Sequence, residues 1–129
     1  MRLEAGQGGG KVLVVEDNPV CARLLVWVLS RRGYEVMAAS DGVQAMRLAQ
    51  TERPHLIVLD VGVPGGDGLA TLTRLRTLSE TAGTPVVIST SRPGSQAERK
   101  AAELGADAFV PKPVESALLL DTVARLIRR

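Results

Sequence analysis

Apolar residues along this chain fall into two patterns that take turns: short unbroken runs, and stretches where they recur every three or four positions. The runs are Lys11 to Val15, Leu56 to Leu59 and Val86 to Ile88, with weaker ones at Tyr34 to Ala39 and Ala108 to Val110. An apolar run of strand length bounded by turn residues predicts a strand covered on both faces. The third run closes on Asp60, before Val61, Gly62, Val63 and Pro64; the fourth continues through Ser89 to Thr90.

Between the runs the period is helical. Val20, Leu24, Leu25, Val28 and Leu29 predict one apolar stripe, with Asp17 or Asn18 as cap, Pro19 in the first turn and Gly33 closing the helix after Arg31 and Arg32. After Asp41 and Gly42 a helix is predicted over about 43–51 with Ala45, Leu48 and Ala49 inward, and another over about 69–80 carrying Leu72, Leu75 and Leu78. Ser95 starts a short helix closed by Gly105, and Ser116 is expected to cap a final one carrying Leu119, Val123, Leu126 and Ile127. Five strands alternating with five helices predict an α/β fold with a doubly wound parallel sheet, one domain over 11–129. Residues 1–10, ending in Gly8, Gly9 and Gly10, predict a flexible arm.

Composition narrows the chemistry. Of 129 residues 45% are apolar but only Trp27, Tyr34 and Phe109 are aromatic, so the core must be aliphatic. Sixteen basic against 14 acidic residues give +2 with the signs interspersed, a mixed surface that does not imply nucleic acid. Cys21 is the one cysteine, which excludes an internal disulfide and a cysteine metal cluster. No apolar run approaches the roughly 18 residues of a membrane span, and no signal peptide is visible, so a cytoplasmic protein without membrane contact is expected.

In an open parallel sheet the ligand crevice lies outside the carboxyl ends of the strands. Those ends gather Glu16 and Asp17, Asp60, Thr90 and Lys112. Alone, Asp60 would suit a turn as well as a site. Three carboxylates at one rim repel, by about 4 kcal/mol per pair at 4 Å and an effective dielectric of 20, so a cation belongs among them. Oxygen ligands without histidine or cysteine point to Mg²⁺. A carboxylate nucleophile with a metal, the Lys112 ammonium and the Thr90 hydroxyl suits phosphoryl transfer, with Asp60 becoming an aspartyl phosphate. His55 lies at the other end of its strand and reads as a strand-edge residue, while Arg125, Arg128 and Arg129 complement a helix C-terminus.

The segments VLVVEDNP at 12–19, LIVLDVGVPGGDG at 56–68, PVVISTS at 85–91 and GADAFVPKP at 105–113 together closely resemble the receiver domain of bacterial two-component response regulators, from Lys11 almost to Arg129. The resemblance implies a flavodoxin-like strand order 2-1-3-4-5, Asp60 as phosphoacceptor, Asp17 as a direct Mg²⁺ ligand, Glu16 acting through metal-bound water, and the Gly62 carbonyl as a further ligand. It implies Thr90 as the hydroxyl switch, with Ser91 as alternative, Lys112 pairing with the phosphoryl group, a cis bond before Pro113, and Phe109 as an aromatic switch on the face of the fourth helix, fifth strand and fifth helix. Most single aromatics on a short strand are simply core. Glu16 stands where an aspartate is more frequent. Gly62 and Arg92 occupy positions that influence how long the acyl phosphate lasts.

The resemblance further implies a phosphohistidine donor, on a sensor histidine kinase or a histidine phosphotransfer protein, and a downstream protein, with a phosphorylation-dependent dimer possible. Nothing after Arg129 is expected to bind DNA, so the output would lie on another chain, unless this receiver is cut from a longer regulator or hybrid kinase. The rival readings are a receiver-shaped scaffold that is never phosphorylated, a Mg²⁺-dependent aspartyl phosphatase and a flavodoxin-like cofactor carrier. Haloacid-dehalogenase-like phosphatases need a second acid two residues after the nucleophile, where this chain has Gly62. Carboxylates at Glu16 and Asp17 would repel a flavin phosphate.

Overall fold

A computed structural model describes residues 9–62 and 68–127. Most of the expected arm, residues 63–67, and Arg128 and Arg129 lie outside the described residues. Of the arm, Gly10 is tied in by its carbonyl, which accepts the Glu35 N–H at 2.8 Å.

The strands are β1 (Lys11–Val15), β2 (Glu35–Ala39), β3 (Leu56–Asp60), β4 (Val86–Thr90) and β5 (Ala108–Pro111). The helices are α1 (Pro19–Arg31), α2 (Gly42–Glu52), α3 (Gly68–Thr77), α4 (Gln96–Glu103) and α5 (Ser116–Ile127). All strand pairings are parallel, in the order β2-β1-β3-β4-β5. Strand alternation sends Leu13, Val15, Ile57, Leu59 and Ile88 to a core under α2, α3 and α4, and Val12, Val14, Val58, Val87 and Val110 to a second core under α1 and α5. Because β1, β3 and β4 are covered on both faces, their runs are apolar throughout; edge strand β2 is half-exposed, as its weaker pattern predicts.

Local chemistry sets the element ends. Asn18 caps α1, its Oδ1 accepting the N–H groups of Val20 (2.9 Å) and Cys21 (3.1 Å), with Pro19 at the first helical position. Asp41 caps α2 through Gln44 N, and Ser95 caps α4 through Glu98 N.

Three expectations are corrected. Val20 and Leu24 are 70% and 51% exposed: α1 packs through Leu25, Val28 and Leu29, and Leu24 is turned about 100° round the helix from Leu25, on an outer row with Trp27. Helix α3 stops at Thr77 short of Glu80, because Thr81 folds back and donates its hydroxyl to the Leu75 carbonyl at 2.7 Å. Ser116 is the first residue of α5 and not its cap; the Glu115 carbonyl accepts the Leu119 N–H, so Glu115 holds the capping position. Among the described residues no helix is long and apolar enough to cross a membrane.

Candidate functional site

Four of the polar residues expected together converge where the strands end. Glu16 continues β1, its N–H bonded to the Ala39 carbonyl at 2.9 Å, and its side chain turns to the α1/α5 side. That carboxylate is buried yet engaged on both oxygens: Oε2 accepts the Asn18 N–H at 3.1 Å and Oε1 meets Lys112 Nζ at 2.7 Å. Asn18 thus caps the helix with its side chain and holds Glu16 with its backbone, a double task that a capping pattern alone does not reveal.

Asp60 closes β3 half-buried. Its Oδ1 accepts the Gly62 N–H at 3.0 Å, and its Oδ2 lies 3.1 Å from Lys112 Nζ. Gly68 N, at the start of α3, donates to the Val61 carbonyl at 3.1 Å. A Cβ on Gly68 would stand 2.3 Å from Val61 Cα and 2.8 Å from the Asp60 carbonyl, so glycine is required there for close approach of backbones.

Asp17 is exposed, yet one carboxylate oxygen from each of Glu16, Asp17 and Asp60 lies within 4.8 Å of the others. An all-oxygen, all-anionic set with one exposed member fits a hard divalent cation that keeps some of its water. Burial raises the Glu16 carboxyl above its usual range, helped by the charge of Asp60, although Lys112 and the Asn18 N–H pull the other way. For Lys112, burial acts to lower the ammonium's pKa, but its hydrogen bonds to Glu16 and then Asp60 outweigh that and hold it above the ordinary lysine value.

Lys112 is fixed at its backbone, with its N–H on the Thr90 carbonyl at 2.8 Å and a cis bond to Pro113, as expected. Thr90 is buried on the opposite side of the sheet from Asp60, and its Oγ1 accepts the Arg92 N–H at 3.1 Å. A cleft of about 400 Å³ opens there between Asp60, Gly62, Thr90, Ser91, Arg92 and Gln96. Asp60 is therefore reached by Lys112 from one side and bordered by the cleft on the other.

Phe109 stands apart. It is half-buried, in register with Ile88, and packs on the α2/α3/α4 core without lining the cleft. His55 is at the far end of β3, exposed, its Nδ1 accepting the Lys11 N–H at 2.9 Å, in keeping with a strand-edge residue. Ser89, adjacent to Thr90, was not singled out by the sequence for any role. It is 1% exposed, and its hydroxyl has no hydrogen-bond partner among the described residues.

A profile of the response regulator receiver domain matches residues 12–124. The chain is 37% identical over 119 residues to the alkaline phosphatase synthesis transcriptional regulatory protein PhoP of Bacillus subtilis (strain 168), covering 92% of this chain and 49% of that one. It is 38% identical to the transcriptional activator protein IrlR of Burkholderia pseudomallei (strain 1026b), again over 119 residues, covering 92% and 51%. It thus spans about half the length of these curated relatives. Among solved structures, the receiver domain of a Pseudomonas aeruginosa sensor histidine kinase, with magnesium coordinated in its active site cleft, superposes with a TM-score of 0.88 at 28% identity, covering 94% of this chain and 99% of that one. The receiver domain of a histidine kinase from Syntrophus aciditrophicus gives 0.86 at 32% identity, covering 93% and 91%.

Proposed function

The chain belongs to the response regulator receiver domain family of two-component signalling, and from that premise we propose that Asp60 accepts a phosphoryl group from a phosphohistidine donor. A carboxylate oxygen of Asp60 attacks phosphorus, the P–N bond breaks, and the electron pair leaves with the imidazole, which takes up a proton. The observation that carries this reading is the meeting of Lys112 with both Asp60 and Glu16 across 52 and 96 residues of sequence.

Each residue has a task that its place supports. Asp17 and Asp60, with the Gly62 carbonyl, would hold Mg²⁺ directly, and Glu16 would hold its water. Bound there, the ion neutralises the acidic rim and draws charge from the phosphoryl oxygens. Lys112 supplies a cation already in place. Thr90 takes the Arg92 N–H on its oxygen, which leaves its hydroxyl hydrogen available to a phosphoryl oxygen in the cleft. Movement of Thr90 toward that oxygen would free space for Phe109 to turn and alter the face of α4, β5 and α5, where a downstream protein or a second copy would bind. The donor would be a sensor histidine kinase or a histidine phosphotransfer protein. The relatives are transcriptional regulators about twice as long, and this segment would bind no nucleic acid itself.

The test is intact-mass measurement after incubation with Mg²⁺ and acetyl phosphate. One phosphoryl adduct is expected, absent without Mg²⁺ and absent in Asp60→Asn. No adduct would leave a receiver-shaped scaffold, and steady turnover of phosphomonoesters would mean a phosphatase.

A further inference from the structure

Lys112 reaches its partners by crossing a strand. It follows β5, yet its ammonium rests on Asp60 at the end of β3 and on Glu16 beyond β1, and β4 lies between β3 and β5. Alternation identifies what it crosses. Val87 belongs to the α1/α5 core and Ile88 to the other, so Ser89 returns to the α1/α5 face. Asp60, two residues after Val58, and Lys112, two after Val110, keep to that same face. Register sets Ser89 beside Asp60 on one flank and Val110 on the other. Ser89 is thus the floor beneath the Lys112 side chain, which explains why it is sealed from solvent.

A sealed hydroxyl without a partner among the described residues is costly, and an aliphatic residue would fill this place without that cost. Lys112 meanwhile has three N–H donors and spends two, on Glu16 and Asp60. A phosphoryl group on Asp60 puts new negative charge in the cleft by Thr90, on the β4 side of the carboxylate. That charge would draw the ammonium off Glu16 in the same direction, back along the path over β4. Ser89 is the acceptor on that path.

We propose that Ser89 is a positioning residue for Lys112, its hydroxyl taking an ammonium N–H once Asp60 carries a phosphoryl group. This rests on the phosphoacceptor reading of Asp60. The experiment titrates the parent protein, Ser89→Ala and Ser89→Thr with beryllofluoride, a phosphoryl mimic, at saturating Mg²⁺, and melts each with and without it. The alanine variant is expected to melt no lower than the parent without ligand, since only an unpaired hydroxyl is lost. It should bind the mimic about tenfold more weakly, the size of one charge-assisted hydrogen bond, and the threonine variant should recover most of that. Equal affinity in Ser89→Ala, a lower melting point of its unliganded form, or equal loss in Ser89→Thr would each overturn the proposal. A parent that binds no mimic and forms no adduct overturns the reading of Asp60 and this inference with it.

Discussion

At the rim where the strands begin, Arg76 donates to the carbonyls of Ala82, Thr84 and Gly105 and to Asp107 Oδ2, which also accepts the Val86 N–H. On the same rim Lys11, at the start of β1, pairs with Glu52, and its N–H is taken by His55. At the rim where the strands end, a single ammonium stands among the carboxylates of Glu16, Asp17 and Asp60, bonded to two of them. The first rim gives each paired acid its own base and spends its donors on backbone carbonyls. The second holds an excess of one charge sign that folding alone does not relieve. Polar groups whose demands are met within the chain brace the fold; those left over are available to a ligand.

Four substitutions would break or sharpen this contrast. Gly68→Ala should act most strongly, because its Cβ would collide with Val61 and the Asp60 carbonyl. A loss of about 3 kcal/mol in chemical denaturation is expected, together with a weaker phosphoryl adduct by mass, since the collision reaches the backbone of Asp60. Arg76→Ala should cost about 2 kcal/mol by taking one donor from several carbonyls and from Asp107, yet the adduct seen by mass should form to the same extent below the melting point. A loss of uptake there would show that the two rims are not independent.

Lys112→Ala removes the one cation from between two inward-facing carboxylates, at a cost of about 2 kcal/mol without divalent ions. Mg²⁺ should raise the melting temperature of this variant more than that of the parent, whereas Mg²⁺ should do nothing for Arg76→Ala beyond its effect on the parent. Glu16→Gln is the smallest change. Because burial holds the Glu16 carboxyl above its unfolded value of 4.5, the charged form works against folding at neutral pH, and that cost fades as pH falls through the folded pKa toward 4.5. The glutamine variant should therefore melt higher than the parent at pH 7.5 without Mg²⁺, with the gap narrowing as pH falls toward 4.5.

The second rim was far more legible in the sequence than the first. Glu16 and Asp60 stand directly after apolar runs, where a change from hydrophobic to polar character stands out, and Thr90 and Lys112 each follow such a run by two residues. Arg76 left no such mark. It looks like one more base on an exposed helix turn, and its partners, 6 to 31 residues away, are mostly carbonyl oxygens that every sequence possesses. The stripe on α1 is wider in sequence than in the structure for a related reason: spacings of three and four admit two adjacent rows, and only packing chooses between Leu25 with Leu29 and Val20 with Leu24. Ser89 escaped because a serine at the end of a strand is unremarkable until register sets it next to Asp60.

Asp60 is mounted at the end of the central, fully enclosed strand. Strand β3 lies at the middle of the sheet with Leu56 to Leu59 at most 2% exposed, clamped by β1 and β4 and by both layers of helices. Such a mount has almost no give, so a force applied at Asp60 cannot be absorbed by the strand behind it. A phosphoryl group received there, as proposed above, would press instead on the side chains around it, and the push would travel sideways above a floor that stays still.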